Sequence, residues 1–153
     1  MNDANREAWL LGEKLSVDEQ TIGFQGRHEE KLWITYKKEG DGFQCDALCD
    51  DGFTYTFYFR NEPPPKDYPH LGALHARYMA LFDVVDDEYH KVGCDNLYIA
   101  AKFARAAYNH PKKVKIHGVC RTHLRGFPSM TVQQELNNKN WTTRTRLKRS
   151  GAQ

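Results

Sequence analysis

Leu15-Ser-Val-Asp-Glu-Gln-Thr-Ile-Gly-Phe-Gln-Gly26 is the stretch on which the reading of the chain turns. Thr21, Ile22 and Phe24 favour extended backbone, because branched and aromatic side chains fit a pleated surface. Gly12 before it and Gly26 at its end bound one strand. A period of two puts Asp18, Gln20, Ile22 and Phe24 on one face and Val17, Glu19 and Thr21 on the other. An acid inside a strand is costly to desolvate unless a cation or hydrogen-bond donors stand beside it. Taken alone, the stretch supports two readings of Asp18 equally: a cap on a frayed strand end, or a ligand whose partner comes from elsewhere.

Working outward, residues 4–14 read as a short helix whose Trp9 and Leu10 dock on the core, and Gly12 weakens its end. After the strand, residues 27–31 form a charged loop. Lys31-Leu-Trp-Ile-Thr-Tyr36 has strand composition, and Lys37–Gly42 is rich in turn residues. Phe43, Cys45, Ala47 and Cys49 then alternate with Gln44, Asp46 and Asp50, a pattern broken by Leu48. Asp51-Gly52 follows, and Phe53, Tyr55, Phe57 and Phe59 alternate with Thr54, Thr56, Tyr58 and Arg60. Two alternating runs around Asp-Gly predict a β-hairpin with a positive-φ turn. With the first strand this makes an antiparallel three-stranded meander.

Pro63-Pro-Pro65 ends the hairpin. Leu71, Leu74, Tyr78, Leu81, Phe82 and Val85 recur at helical spacing, predicting an amphipathic helix over 71–85. His90–Asp95 is a short strand, Asn96 a suitable N-cap, 97–108 an alanine-rich helix stopped by His110-Pro111, and 113–120 a further strand. Strand, helix, strand in this spacing predicts parallel pairing with a crossover. Meander, helix and βαβ together follow the order of the front part of a ribonuclease-H-like α/β fold. From Arg121 the pattern fades, and Lys139–Arg149 holds Lys139, Arg144, Arg146, Lys148 and Arg149 with no acid. The expected divisions are an N-terminal helical piece over 1–14, a core over 15–125 and a basic, mostly irregular tail over 126–153.

The chain has 153 residues, which suggests one domain with a sizeable core. Three Trp, eight Tyr and eight Phe argue against disorder for most of it. Lys and Arg number 22 against 20 Asp and Glu, so nucleic-acid contacts must come from local patches rather than from overall charge. No apolar run is long enough for a membrane span, so no membrane partner is expected. The start lacks the basic-then-apolar order of an export signal. Cys45, Cys49, Cys94 and Cys120 are therefore expected as reduced thiols.

Asp95 ends one parallel strand, and in open α/β sheets ligands collect at the carboxyl ends of strands. If the first strand lies beside it, Asp18 and Asp95 face each other. Two close carboxylates repel unless a divalent cation neutralises them, and oxygen-only ligation suits Mg²⁺ or Mn²⁺. Paired metals about 3.5–4 Å apart can activate water and stabilise a leaving oxygen in phosphodiester cleavage. Other arrangements weigh less. Cys45-x-x-x-Cys49 shares a strand face with Phe43 and Ala47, which favours core thiols over zinc. His117, Cys120 and His123 lack a recognised ligand spacing. Glu19 points away from Asp18 by strand parity. Lys37, Lys38, Lys112, Lys113 and Lys115 read first as a soluble face. The tail, through Arg144, Arg146, Lys148 and Arg149, is the better candidate for phosphate contacts, and it reads equally as an unfolded stump.

Three blocks carry a family resemblance. Ser16-Val-Asp-Glu-Gln-Thr-Ile-Gly-Phe-Gln-Gly-Arg27 resembles the first catalytic block of piggyBac-type transposases. Cys94-Asp-Asn-Leu-Tyr98 resembles the second. His117-Gly-Val-Cys-Arg-Thr-His-Leu-Arg-Gly-Phe-Pro128 resembles the Gly-Thr/Val-x-Arg…Pro segment that follows. The match spans roughly 14–130 in the family's order. It implies a DNA transposase core of the DDE type with a ribonuclease-H-like fold, Mg²⁺ (or Mn²⁺) as cofactor and a nuclear setting. The implied partners are transposon-end DNA and full-length transposase or a second copy. It maps two catalytic, metal-holding acids to Asp18 and Asp95. The family's third Asp lies on a later helix that is not found here. Glu135, the nearest tail acid, matches no motif. The expectation is a truncated fragment of the catalytic core, inactive on its own; the alternative is a domesticated DNA- or protein-binding module without catalysis.

Overall fold

The computed structural model describes residues 2–33, 41–86, 88–121, 130 and 134. The chain divides into two compact units, Met1–Arg121 and Thr122–Gln153. Nearly all of the second unit, with Glu135 and the tail cations Arg144, Arg146, Lys148 and Arg149, lies outside the described residues.

The first unit runs α1 (Asn2–Ala8), β1 (Lys14–Gly23), β2 (Leu32–Trp33), β3 (Asp41–Asp50), β4 (Phe53–Phe59), α2 (Ala73–Asp83), β5 (Lys91–Cys94), α3 (Ala101–Asn109) and β6 (Lys115–Gly118). One mixed sheet has the order β2-β3-β1-β5-β6, with β4 also paired to β3. β1 runs antiparallel to β3, with Asp18 opposite Ala47. It runs parallel to β5, with Leu15 beside Val92 and Val17 beside Cys94. β5 and β6 are parallel, as expected for a strand-helix-strand unit. The meander β1-β3-β4, the helix after it and the parallel pair all follow the predicted order.

Alternation divides β1 cleanly. Leu15 and Val17 are buried, while Lys14, Ser16 and Asp18 are exposed. Leu15 and Val17 join Leu48, Tyr55, Val92 and Cys94 in a core covered by α2 and α3. From α2 come Tyr78, Met79, Leu81 and Phe82, and from α3 Phe103 and Ala107. Asp51 and Gly52 both have positive φ, the mirror-image turn that matches strand twist and for which Asp-Gly is suited.

Four expectations need correction. The first helix ends at Ala8 rather than near 14. Trp9 stacks on Phe53 with centroids 4.8 Å apart. Both the Trp9 indole N–H and the Gly12 N–H donate to Asp50, which pulls the chain out of helix toward β1. Leu10 is 96% exposed, and Leu11 takes the place at the core. Second, Tyr55 does not share a face with Phe57 and Phe59. The pairing of β3 with β4 shifts between Leu48 and Cys49, and Tyr55 turns into the helix-covered core. Third, Asn96 is not the cap of α3, which starts at Ala101. Tyr98 is buried against Tyr78, and its carbonyl accepts from His75 Nε2 at 3.0 Å. That anchor holds residues 96–98 in a turn.

Fourth, Asp46 is fully buried although alternation placed it among outward-facing residues. Its Oδ1 accepts from Arg60 Nε at 2.9 Å and Nη2 at 2.7 Å, and from the Tyr78 hydroxyl at 3.4 Å. Arg77 approaches its Oδ2 at 4.0 Å and donates to the Arg60 and Glu62 carbonyls. These bonds fasten α2 to the end of β4. On the other flank, Asn2 both donates to the Phe57 carbonyl and accepts from the Phe57 N–H, and Asn5 donates to the Thr54 carbonyl. Side chains of α1 thus occupy backbone groups that an edge strand would otherwise leave open.

Asp46→Ala leaves two guanidinium groups beside a vacated, dry position. It should lower unfolding free energy by about 3–5 kcal/mol, read as a urea midpoint shift without a change of slope.

Burial pushes the Cys45 thiol up to about 11 and the Cys94 thiol up to about 12, from an ordinary value of 9.0. The folded chain therefore holds these protons above the pH at which the unfolded chain releases them. Stability should be unaffected below pH 9 and fall as pH rises toward 11. At pH 8 iodoacetamide should modify the partly exposed Cys120 well before Cys45 or Cys94, as mass spectrometry of peptides would show.

Candidate functional site

Val17 on β1 and Cys94 on β5 are partners in a parallel ladder, so Asp18 and Asp95 each stand one residue further along. Neighbouring backbones in such a ladder are about 4.8 Å apart. Val17 and Cys94 belong to the helix-covered core, and alternation along β1 sends Asp18 to the face opposite α2 and α3. Both aspartates are exposed. The register sets Asp18 and Asp95 at equivalent positions, each one residue beyond the Val17–Cys94 pair.

Each carboxylate is held the same way. Asp18 Oδ1 accepts from the Glu19 N–H at 2.8 Å, and Asp95 Oδ1 accepts from the Asn96 N–H at 2.6 Å. These local bonds orient the side chains and use one oxygen of each. Among the described residues no lysine or arginine forms an ion pair with either. A β5 ending in Gly93-Cys94 suits this: the turn Asp95–Tyr98, closed by the Tyr98 N–H on the Asp95 carbonyl, releases Asp95 from the ladder.

The surroundings of Asp18 are small or neutral. Ala47 lies opposite it on β3. Beyond stand Gln20, Cys49 and Thr54, joined in a ring: Gln20 Nε2 donates to Cys49 Sγ at 3.2 Å, and the Thr54 hydroxyl donates to Gln20 Oε1 at 3.1 Å. Burial raises the Cys49 thiol, and the Asp18 charge raises it further. Glu19 turns to the other face, where it pairs with Arg60 at 3.3 Å. That placement agrees with strand parity and takes Glu19 out of the acid pair.

Sequence reasoning missed Arg121. Its Nη2 donates to Asn96 Oδ1 at 3.3 Å, which sets a guanidinium beside the Asp95 turn. The Arg of the Gly-Val-x-Arg segment was the signal available for it. Gly118 is also fixed by geometry: an added Cβ would lie 2.1 Å from the Cys94 carbonyl oxygen, directly before Asp95.

Among the described residues no group of three or more His, Cys, Asp or Glu is arranged to hold a metal ion. The acid pair is a set of two hard oxygen donors with one oxygen of each unused by the bonds above. That donor set suits a Mg²⁺-like ion, which keeps several waters and is commonly held by one or two carboxylates plus substrate phosphates. Of the zinc arrangements considered from sequence, Cys45 and Cys49 are buried in the sheet, and His123 of the other lies outside the described residues. Among the described residues no helix is long and apolar enough to cross a membrane.

A family model described as Transposase IS4 matches residues 1–150. No curated protein matches the chain. Among solved structures, the chain is similar to that of piggyBac transposase in a synaptic complex with hairpin DNA, at 23% identity and a TM-score of 0.59. The likeness covers 88% of this chain and 27% of that one, so the chain spans about a quarter of the transposase it resembles in fold.

Gly118→Ala should force β6 away from β5 beside Asp95 and destabilise the chain by about 1–3 kcal/mol in thermal melts. Gly93→Ala is the matched control. Its Cβ would meet His117 Nε2 at 3.4 Å, an ordinary contact, and the melting temperature should hardly move.

Proposed function

The chain belongs to the Transposase IS4 family, and from that premise we propose that it is part of a piggyBac-like DNA transposase core in which Asp18 and Asp95 hold a divalent cation. The single observation that supports this most is their equivalent placement, one step beyond the Val17–Cys94 ladder pair. The strand order supports the finer fold reading as well. An antiparallel meander on one side of β1 and a parallel β5-β6 pair on the other follow the front part of a ribonuclease-H-like fold.

In this reading Asp18 and Asp95 hold Mg²⁺ or Mn²⁺ through the oxygens left free by the Glu19 and Asn96 N–H groups. Such an ion, when bound, lowers the pKa of water and polarises phosphoryl oxygen. Glu19 and Asn96 keep the two carboxylates from turning away. Arg121, tethered by Asn96, supplies positive charge for a DNA phosphate next to the pair. The partner is DNA, the neighbour of similar fold being a transposase complex with hairpin DNA. A protein that acts on chromosomal DNA would work in the nucleus.

Among the described residues the proposed site has two carboxylates, one fewer than the three that the resemblance implies. We therefore expect this chain to bind a divalent cation and DNA without cutting DNA by itself. A full-length transposase would supply the remaining acid.

Isothermal titration with Mn²⁺ tests the pair. The wild-type chain should bind, and Asp18→Asn and Asp95→Asn should each weaken binding about tenfold or more while leaving the melting temperature in place. Absence of binding, or variants that bind as the wild type does, would remove the metal reading. Cleavage of transposon-end DNA by the purified chain, lost in Asp18→Asn, would remove the expectation of inactivity.

A further inference from the structure

The sheet face opposite α2 and α3 carries a row of lysines. β1 pairs Lys14 with Lys91 of β5, and β5 pairs Lys91 with Lys115 of β6. The three lysines therefore lie side by side across three adjacent strands. Each precedes a residue packed in or against the core, namely Leu15, Val92 and Ile116, so alternation sends all three to the face opposite α2 and α3. Lys14 and Lys115 are exposed, and Lys91 is half-buried.

Such a row is unfavourable in isolation, because like charges directly opposite on neighbouring strands repel. The local compensation is small. Glu13 pairs with Lys91, and Lys115 lies 5.3 Å from the Tyr89 ring centroid. The Glu13 carboxyl is held below its ordinary value by Lys91 first, and then also by Lys14 and Lys115. One carboxylate thus feels all three cations, and the cluster retains a net positive charge. A sheet that needed only solubility has no reason to align three cations in register; an anion laid across the strands would relieve their repulsion.

We infer that Lys14, Lys91 and Lys115 form a phosphate-backbone contact of bound DNA, on the same sheet face as Asp18 and Asp95. This rests on the DNA-acting reading above and adds to it where the strand lies. From Lys14 to Asp18 is four residues of strand, about 13 Å at the usual rise. B-form DNA advances about 3.4 Å per nucleotide along its axis, so the row meets the backbone roughly four steps from the position over the acids. In the intervening row Ser16 and Gly93 are small, and the His117 imidazole lies against Gly93, its Nε2 3.4 Å from where a Cβ would stand. A backbone passing from the cations to the acids therefore runs over Ser16 on β1 and the His117 ring beside it.

The test is fluorescence anisotropy of the full chain with a fluorescein-labelled DNA duplex of mixed sequence, over a series of salt concentrations. Lys14→Gln with Lys115→Gln leaves the Lys91–Glu13 pair in place. It should weaken binding about tenfold and reduce the steepness of the log Kd against log salt plot by roughly two contacts' worth. Lys14→Arg with Lys115→Arg should retain the wild-type slope, which separates lost charge from lost fold. Lys102→Gln with Arg105→Gln removes two exposed cations from α3, on the covered side, and should change little. Unchanged affinity and slope in the first pair, equal loss in the α3 pair, or no duplex binding by the wild-type chain would each overturn the inference. Mn²⁺ titration of the Lys14→Gln, Lys115→Gln chain separates the two readings. Retained cation binding leaves the acid pair standing whatever the lysines do, and Asp18→Asn should leave the salt slope of DNA binding intact.

Discussion

The parallel pairing of β1 with β5 is the constraint on which the rest of this fold depends. β1 lies between β3, which runs antiparallel to it, and β5, which runs parallel. Its register with β5 matches Leu15 to Val92 and Val17 to Cys94, so one face becomes continuous apolar surface for α2 and α3. Because side chains alternate strictly along a strand, the same register decides what stands on the other face. A slip by one residue would put Asp18 and Ser16 into the core and Val17 into water. The burial of Leu15, Val17, Val92 and Cys94 therefore fixes Asp18 and Asp95 at equivalent positions beyond the ladder, although neither contributes to the core itself.

The buried polar cluster around Asp46 acts on the same arrangement from the covered side. Its partners come from two places: Arg60 follows β4, and Arg77 and Tyr78 lie on α2. A buried charge of this kind is weak evidence for net stability, since its desolvation offsets much of the attraction. Its geometric consequence is firmer. Hydrogen bonds are directional, so α2 has one acceptable position along the β3-β4 hairpin. Tyr78 then packs edge-on to Tyr98 at 5.1 Å, and Tyr98 anchors the turn that begins at Asp95. A chain of contacts thus runs from Asp46 through Tyr78 and Tyr98 to one of the two site acids.

Much of this was legible in the sequence because it follows from local rules. Asp51-Gly52 between alternating runs demands a hairpin, the spacing of Leu71 to Val85 demands a helix, and the acid within a strand marked Asp18 as needing an explanation. What was not legible required knowledge of which strands touch. Asp46 looked solvent-facing because alternation alone does not reveal that β3 is buried on both faces by a helix and its neighbours. Tyr55 changed faces through a register shift that no residue in the run announces. Asn96 has a good capping side chain, yet the burial of Tyr98 outweighed that local preference and delayed α3 to Ala101. The lysine row belongs to the same class. Lys14, Lys91 and Lys115 are far apart in the chain, and only the paired registers make them neighbours.

The face opposite α2 and α3 acquires a polarity from this pairing. Cations stand at the amino ends of the parallel strands and acids one step past the last ladder pair, with small residues between them on β1 and β5. A polyanion approaching such a face is attracted at one end and repelled at the other, so electrostatics alone would bring it to the lysines and hold its backbone off the aspartates. In the proposed reading, a divalent cation on Asp18 and Asp95 would neutralise the two carboxylates and remove that repulsion. Metal and DNA would then be coupled ligands of a single surface, each making the other's binding more favourable by reciprocal linkage. The coupling follows from where the charges stand, and their places follow from the register that buries Val17 against Cys94.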